Sequence, residues 1–463
     1  MSGDDLALTA HLMRRAGFGS TREELEELST RSYESLVDDL IHPERSPPVE
    51  KDVLDRFYGE VTIHNNPSTW IYRMVNTRRP LEEKMVLFLH HVFATAYSKD
   101  SAPFSHIVQL DMFRRVGLTD WRTILTEVSK DPLMISWLDN SENHKDEPNE
   151  NYGRELLELF SMGIGSYTEE DVKECARAFT GWTFTQPIPL YPCGHFTPEF
   201  EFVEEDHNDG EKTFLGHTGN FNGQDIIDII VKQPETATFV SRHLYNFFVA
   251  DESQVPAWSV EPPTDPEAIA ALSQEFLDSD GSMRSVLHLL FSSDFFKEAR
   301  YARVKSPAEL VAGTIKLVGT HRFPDPGLVG IGEAPEFMGQ HLTNPPTVEG
   351  WHTGQEWIDG GALTERVNFA ADQIGDLTKP GVQRLVARLS GRGPVLSPED
   401  LVDRSLELIG PVVVSDMTRN SLLDHIRPGG DLHFETKEER EKSETRIAGM
   451  LQLAVSTREY QFA

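Results

Sequence analysis

Glu83 to Tyr97 reads E-K-M-V-L-F-L-H-H-V-F-A-T-A-Y, a run that is apolar on nearly every side with a polar line along it. At helical spacing Glu83, Leu87, His90, Ala94 and Tyr97 fall in one narrow stripe, with His91 on its flank. The other faces carry Met85, Val86, Phe88, Leu89, Val92 and Phe93. A helix apolar all round has to be wrapped by other elements. The stretch therefore predicts a buried helix over 83–97 within a multi-helix globular array. Pro80 suits its first position, with Glu82 and Glu83 favourably placed in the first turn. A buried imidazole leaves about 1–3 kcal/mol unrecovered for each nitrogen without a partner. A metal ion, a carboxylate or a backbone carbonyl could each be that partner, so the stripe reads either as a reaction centre or as satisfied core histidines.

Outward from this helix the same signals repeat. Ser20 and Thr21 ahead of Glu23 and Glu24 make a capping-box arrangement that opens a helical stretch over 20–40. Asn151 to Met162 reads as a helix closed by Gly163 and Gly165, and Thr168 caps the next one. Helical spacing also covers 224–232, 235–249, 266–278, 282–298, 306–319 and 381–390, and a last helix runs toward the chain end. Thr183 to His217 breaks the pattern with an extended rhythm, and Asp209-Gly210 between two such runs signals a hairpin. The predicted fold is mainly α, with a small β-hairpin insertion near 185–217. It forms one domain over 1–463: a helical core 1–182, a β excursion 183–222, a helical region 223–320, a Pro/Gly/Trp-rich loop 321–361 and C-terminal helices 362–463. Pro- and Gly-rich segments at 253–265 and 322–334 read as linkers or lid loops, and Asn344 to Trp357 as a rigid loop presenting Trp351 and Trp357.

The net charge is −32, from 43 basic and 75 acidic residues. Such a surface repels nucleic acid and anionic lipid. No apolar run reaches the ~18 residues of a membrane span. The first residues, M-S-G-D-D-L-A-L-T-A-H-L, are acidic where a secretory signal is basic, so the expected location is cytoplasmic. Two cysteines, Cys175 and Cys193, give no zinc pair, and Cys193 near His195 is a weak metal signal. Phosphate-binding loops, a dinucleotide fingerprint, a nucleophile elbow and H-E-x-x-H are all missing from the sequence.

Two further clusters could carry chemistry. Trp137 to Phe160 holds an oxygen-rich loop running into a helix, with Asp139, Ser141, Asn143 and Glu150 at positions 1, 3, 5 and 12 of a calcium-loop spacing. His144 replaces the glycine such a loop needs, and Pro148 intrudes. On the following helix Glu155 lies at the edge of an apolar arc, while Arg154 and Glu158 point away as an i,i+4 pair. Glu155 could join His90 in a carboxylate–histidine site, although the E-x-x-H half of a helical metal motif is lacking. His207 and Lys212 flank the D-G turn and could face a cleft or an anion.

H-L-M-R-R-A-G-F-G (11–19), E-K-M-V-L-F-L-H-H-V-F-A-T (83–95), P-N-E-N-Y-G-R-E-L-L-E-L-F-S-M-G-I-G (148–165), K-S-P-A-E-L-V-A-G (305–313) and M-G-Q-H-L-T-N-P-P-T-V-E-G-W (338–351) resemble the bacterial family catalogued as domain of unknown function 1800. E-C-A-R-A-F-T-G-W (174–182) and H-N-D-G-E-K-T-F-L-G (207–216) do so too, in order along nearly the whole chain. The resemblance implies a mainly helical protein, often exported, and often encoded beside a second family of alkaline-phosphatase-like proteins. Many relatives read H-x-H-F where this chain has His90-His91-Val92-Phe93, and some have histidine at the position of Phe160.

Two functions follow as expectations. The first is a metal-dependent enzyme, hydrolytic or oxidative, holding a divalent ion on His90, His91, Glu83 and Glu155, with Asp139, Asn143 and Glu150 as a second oxygen-rich site. His90 and Glu155 would act as ligands or base, with His207, Lys212 and Arg154 completing the catalytic set. The second is a non-catalytic binding or assembly protein acting with an alkaline-phosphatase-like partner. Either site would need the 83–97 helix, the 139–158 segment and the His207 turn to converge.

Overall fold

The computed structural model describes residues 3–58, 62, 65–99, 103–185, 198–391 and 393–463. Among these are 23 α-helices and three two-stranded antiparallel sheets, so the protein is mainly α. The central element is the Pro80–Val92 helix, with Pro80 at its first position and Glu82 and Glu83 in its first turn. Every residue from Glu83 to Val92 is buried, as an all-round apolar run requires. The Asn65–Asn76 and Pro103–Val116 helices pack on it, and Pro307–Val318 and Leu328–Phe337 pack on Asn65–Asn76. A C-terminal group assembles around the Lys437–Val455 helix. Among the described residues no helix is long and apolar enough to cross a membrane.

The central helix stops earlier than its sequence suggests. Phe93 closes the last helical bond to the Leu89 carbonyl at 2.7 Å and then leaves helical geometry. Its ring seats against Phe113, Trp121 and Phe160, with centroids 6.2, 5.5 and 5.1 Å away. Tyr97 is thus off the helix and meets His341 through its hydroxyl, 3.2 Å from Nε2. The stripe joining Glu83, His90 and Tyr97 is broken by this tertiary contact.

Four other expectations are corrected. The Asn151 helix ends at Glu158, not Met162, although Gly163 and Gly165 do take the left-handed conformation expected of closing glycines. The hairpin turn lies at Leu215-Gly216, both at positive φ (46° and 80°), between the strands Lys212–Phe214 and His217–Gly219. Asp209-Gly210 is a bend that Lys212 pins from the side. A second pair joins Trp182–Thr185 to Glu199–Phe202; Cys193 and His195 lie outside the described residues. The 321–361 loop contains the helix Leu328–Phe337. Its glycines serve close packing: a Cβ on Gly332 would come within 2.5 Å of Ser68 Cα. Trp351 and Trp357 are buried rather than presented.

A buried charge network ties these helices together. Glu309, in a capping box at the start of the Pro307–Val318 helix, takes Lys84 Nζ on one oxygen, with Arg15 Nη1 3.6 Å away. Its other oxygen takes Arg303 Nη1 at 2.9 Å and the Ser306 amide at 2.6 Å. Lys84 also donates to the Gly17 carbonyl, and Arg15 to those of Phe247 and Phe248. Three cations stabilise the one carboxylate and hold it far below the usual carboxyl range. Burial, with Arg15 and Arg303 alongside, lowers Lys84 to about 7 despite its partner.

Candidate functional site

The structure gives each member of the stripe its own environment. Glu83 forms a two-pronged pair with Arg114, at 2.7 and 3.0 Å. His90 is fully buried, with Trp70 and Trp351 set edge-on at 5.6 and 5.4 Å. Neither of its ring nitrogens has a hydrogen-bond partner among the described residues. Gln109 leans toward the ring, but its amide is engaged by Thr95 and Asp131. Burial, and then the neighbouring His106 and His91, lower His90 to about 3, so the ring is neutral. His91 stacks on Trp351 and accepts its backbone N–H on Nδ1 at 3.3 Å.

The oxygen-rich loop is turned inward on itself. Asn143 is buried; it donates to Asn140 and to the Ala176 carbonyl and accepts the Asn149 amide. Asp139 pairs with Lys99 at 2.8 Å, and Glu150 with Arg154 at 3.1 Å. Arg154 also binds Glu169, so its expected partner Glu158 is left to the Tyr167 hydroxyl, 3.2 Å away. His207 is buried on the Thr180 carbonyl, and Lys212 donates to the Asn208 and Gly210 carbonyls. Each of these groups has a partner within the protein. Among the described residues no three His, Cys, Asp or Glu side chains group as metal ligands. The ligand set of His90, His91, Glu83 and Glu155 is not assembled, because Glu83 and His90 are walled off by Arg114 and by tryptophan rings.

Glu155 is different. Its helix ends at Glu158 beside an open cleft of about 370 Å³. The cleft is lined by Glu158 and Met162, by Phe239 and Arg242 of the Pro234–Phe248 helix, by Trp258, and by Glu349. Phe239 and Trp258 meet edge-on at 5.6 Å, and the Arg242 guanidinium lies 4.6 Å over Trp258. Glu252 neutralises Arg242 at 2.7 Å, so the net character of the wall is aromatic and acidic. Glu349 is carried in by the turn before Trp351. There Gly350, at φ +85°, lies directly on the His91 carbonyl, and a Cβ would also come within 2.7 Å of His91 Nδ1. The half-buried Glu155 thus sits among carboxylates. Burial first, then Glu158 and Glu349, push its carboxyl up to about 7, against the relief given by Arg154.

A family profile described as "Protein of unknown function (DUF1800)" matches residues 11–462. The chain belongs to this family. The match spans every element of the cleft and of the buried network. No curated protein and no solved structure matches the chain.

Within this DUF1800 chain, three residues that shape the cleft were not singled out as site residues from sequence: Glu349, Arg242 and Trp258. Arg242 carried the signal that marked His90, a charged residue inside the apolar run F-V-S-R-H-L-Y-N-F-F. Glu349 stood in N-P-P-T-V-E-G-W, where the tryptophan drew attention instead. The Glu155 environment sets a measurable sign. A carboxyl raised from 4.5 to about 7 binds its proton more tightly folded than unfolded. Its stabilising contribution is complete below 4.5 and is lost as pH rises through 7. Glu155→Gln is expected to remove that decline, which urea denaturation on either side of the window would detect. Parallel pH profiles for the two proteins would contradict it.

Proposed function

We propose that the chain is an acid–base enzyme of the hydrolytic class working in the Glu155–Glu158–Glu349 cleft. One observation carries this: Glu155, one turn before the cleft-lining Glu158, has its carboxyl raised to about 7 by burial and then by Glu158 and Glu349, both of which line the aromatic-walled cleft. An acid that holds its proton near neutrality can give it to a leaving group, while a neighbouring carboxylate takes a proton from water. Glu155 is assigned the first task and Glu349 the second, with Glu158 oriented by Tyr167. The metal-dependent form of the enzyme, hydrolytic or oxidative, lacks an assembled ligand set among the described residues. The chemistry is therefore given to the carboxylates themselves.

The second reading is a binding or assembly protein acting with an alkaline-phosphatase-like partner. It is favoured by apolar exposure at Ile164, which lines the cleft and is 51% exposed, and at Val260, next to the lining Ser259 and 82% exposed. The deciding experiment assays the purified chain on chromogenic esters, amides, phosphate esters and glycosides across pH, beside Glu155→Gln. Turnover that falls by about 10²-fold or more in the variant supports the acid–base site. Turnover that the variant retains removes Glu155 from the chemistry. No turnover, together with co-elution with the partner, supports the binding protein.

A further inference from the structure

We propose that a second cavity, remote in composition from the carboxylate cleft, binds a small oxyanion, a carboxylate or phosphate group. It has a volume of about 60 Å³ and lies between the first helix, Gly3–Arg15, and the Pro307–Val318 helix. Arg14 and Lys305 supply its cationic lining; Thr314 and Tyr460 supply hydroxyls 3.4 Å apart. Arg14, Gly19, Ser20 and Lys305 are only half-buried, so the cavity has a mouth.

The charge around this cavity does not balance. Arg14, Arg15, Lys84, Arg303, Lys305 and Arg366 cluster here, and the side-chain carboxylates facing them among the described residues are Glu309 and Asp251; Ala463, the last residue of the sequence, also lines the cavity. Glu309 lines the cavity, but both its oxygens are taken by Lys84, Arg303 and the Ser306 amide. Asp251 is committed to the Val304 amide and lies 3.9 Å from Arg303. The other cations rest on backbone carbonyls: Arg14 on Gly410 at 2.7 Å, and Lys305 on Tyr460 at 2.6 Å. Carbonyl dipoles satisfy donors without cancelling net charge, and a buried charge without a counter-charge is expensive. Donors are also left over. Arg14 Nε, Arg15 Nη1 and Arg366 Nη1 are buried without a hydrogen-bond partner among the described residues, Arg15 Nη1 facing Glu309 at 3.6 Å. Burial first, then Arg14, Arg366 and Arg15, push the Lys305 ammonium well below the usual range against the opposing pull of Glu309, three cations to one carboxylate. An entering oxyanion would accept hydrogen bonds from Lys305, from Arg14 Nε and from the Thr314 hydroxyl, and would supply the missing negative charge. In a protein of net charge −32 such a basic recess selects for anions small enough to pass an acidic surface.

The test is calorimetric titration of the intact protein with inorganic phosphate and, separately, with acetate, ionic strength being held constant with sodium chloride. Lys305→Met and Thr314→Val are run alongside. Saturable binding of phosphate or of acetate is expected in the wild type, and whichever binds identifies the group. Lys305→Met is expected to weaken it about tenfold or more, one charge-assisted hydrogen bond being lost. Thr314→Val keeps every charge and is expected to weaken binding a few-fold, which secures the assignment should Lys305→Met fold poorly. Absence of saturable binding by either anion, or undiminished binding in the two variants, overturns the proposal.

Discussion

Glu309→Gln is expected to cost the fold about 3–5 kcal/mol, a large part of the ~5–15 kcal/mol that holds a typical domain together. Glutamine keeps the shape of the side chain and removes its charge. Lys84, Arg15 and Arg303 would then face one another across a site that is 4% exposed at the carboxylate and almost dry at the cations. The amide would also turn an NH₂ group toward either Lys84 or Arg303, donor against donor. Lys84→Met in the Glu309→Gln background removes one of the stranded cations. It is expected to cost less there than in the wild type, with a coupling of about 1–3 kcal/mol in a double-mutant cycle. Urea denaturation followed by circular dichroism measures all four proteins. A Glu309→Gln midpoint within error of the wild type would show that water or a rearranged backbone takes over the carboxylate's place.

Gly350→Ala is expected to destabilise by about 2–4 kcal/mol, combining a left-handed backbone with overpacking. The new methyl would fall on the His91 carbonyl and on a ring that Trp351 already stacks against. Backbone on one side and a buried helix on the other leave little room to yield. Displacement of the turn would carry Glu349 away from Glu155, so the variant should also lower the Glu155 carboxyl from about 7. Denaturation reads the first effect, and carbon NMR of the labelled glutamate side chain reads the second. A destabilised variant with an unmoved Glu155 would separate Glu349 from the acid's environment. A stable variant would mean that the turn adopts another path.

The helix starts were legible because their chemistry is local. Pro80 with two following glutamates, Thr21 with Glu24 and Thr168 with Asp171 all open helices as they read. Ends were less legible where a distant contact decides them, as when Phe93 leaves the helix to reach Trp121 and Phe160. Gly332 misled for a similar reason: its neighbour in space is Ser68, which no sequence window contains. Leu215-Gly216 gave no turn signal because leucine at positive φ is costly, whereas Asp209-Gly210 gave a strong signal for a turn made elsewhere. Of the site, Glu155 was visible as an edge carboxylate on an apolar helix. The histidines drew attention away from Lys84, which lies in the same quoted stretch and is the deeper anomaly. Its partner is 225 positions away, and pairing at that distance leaves no trace in spacing.

That separation also has a consequence for how the chain is made. Ribosomes add roughly 5–20 residues per second. After Lys84 leaves the tunnel, the 225 residues to Glu309 therefore take on the order of tens of seconds. Throughout that interval the buried central helix has the Asn65–Asn76 and Pro103–Val116 helices to pack against, but neither its counter-ion nor the Pro307–Val318 helix that carries it. The nascent amino-terminal half is therefore expected to need holding factors, and fragments that end before residue 309 should precipitate rather than fold.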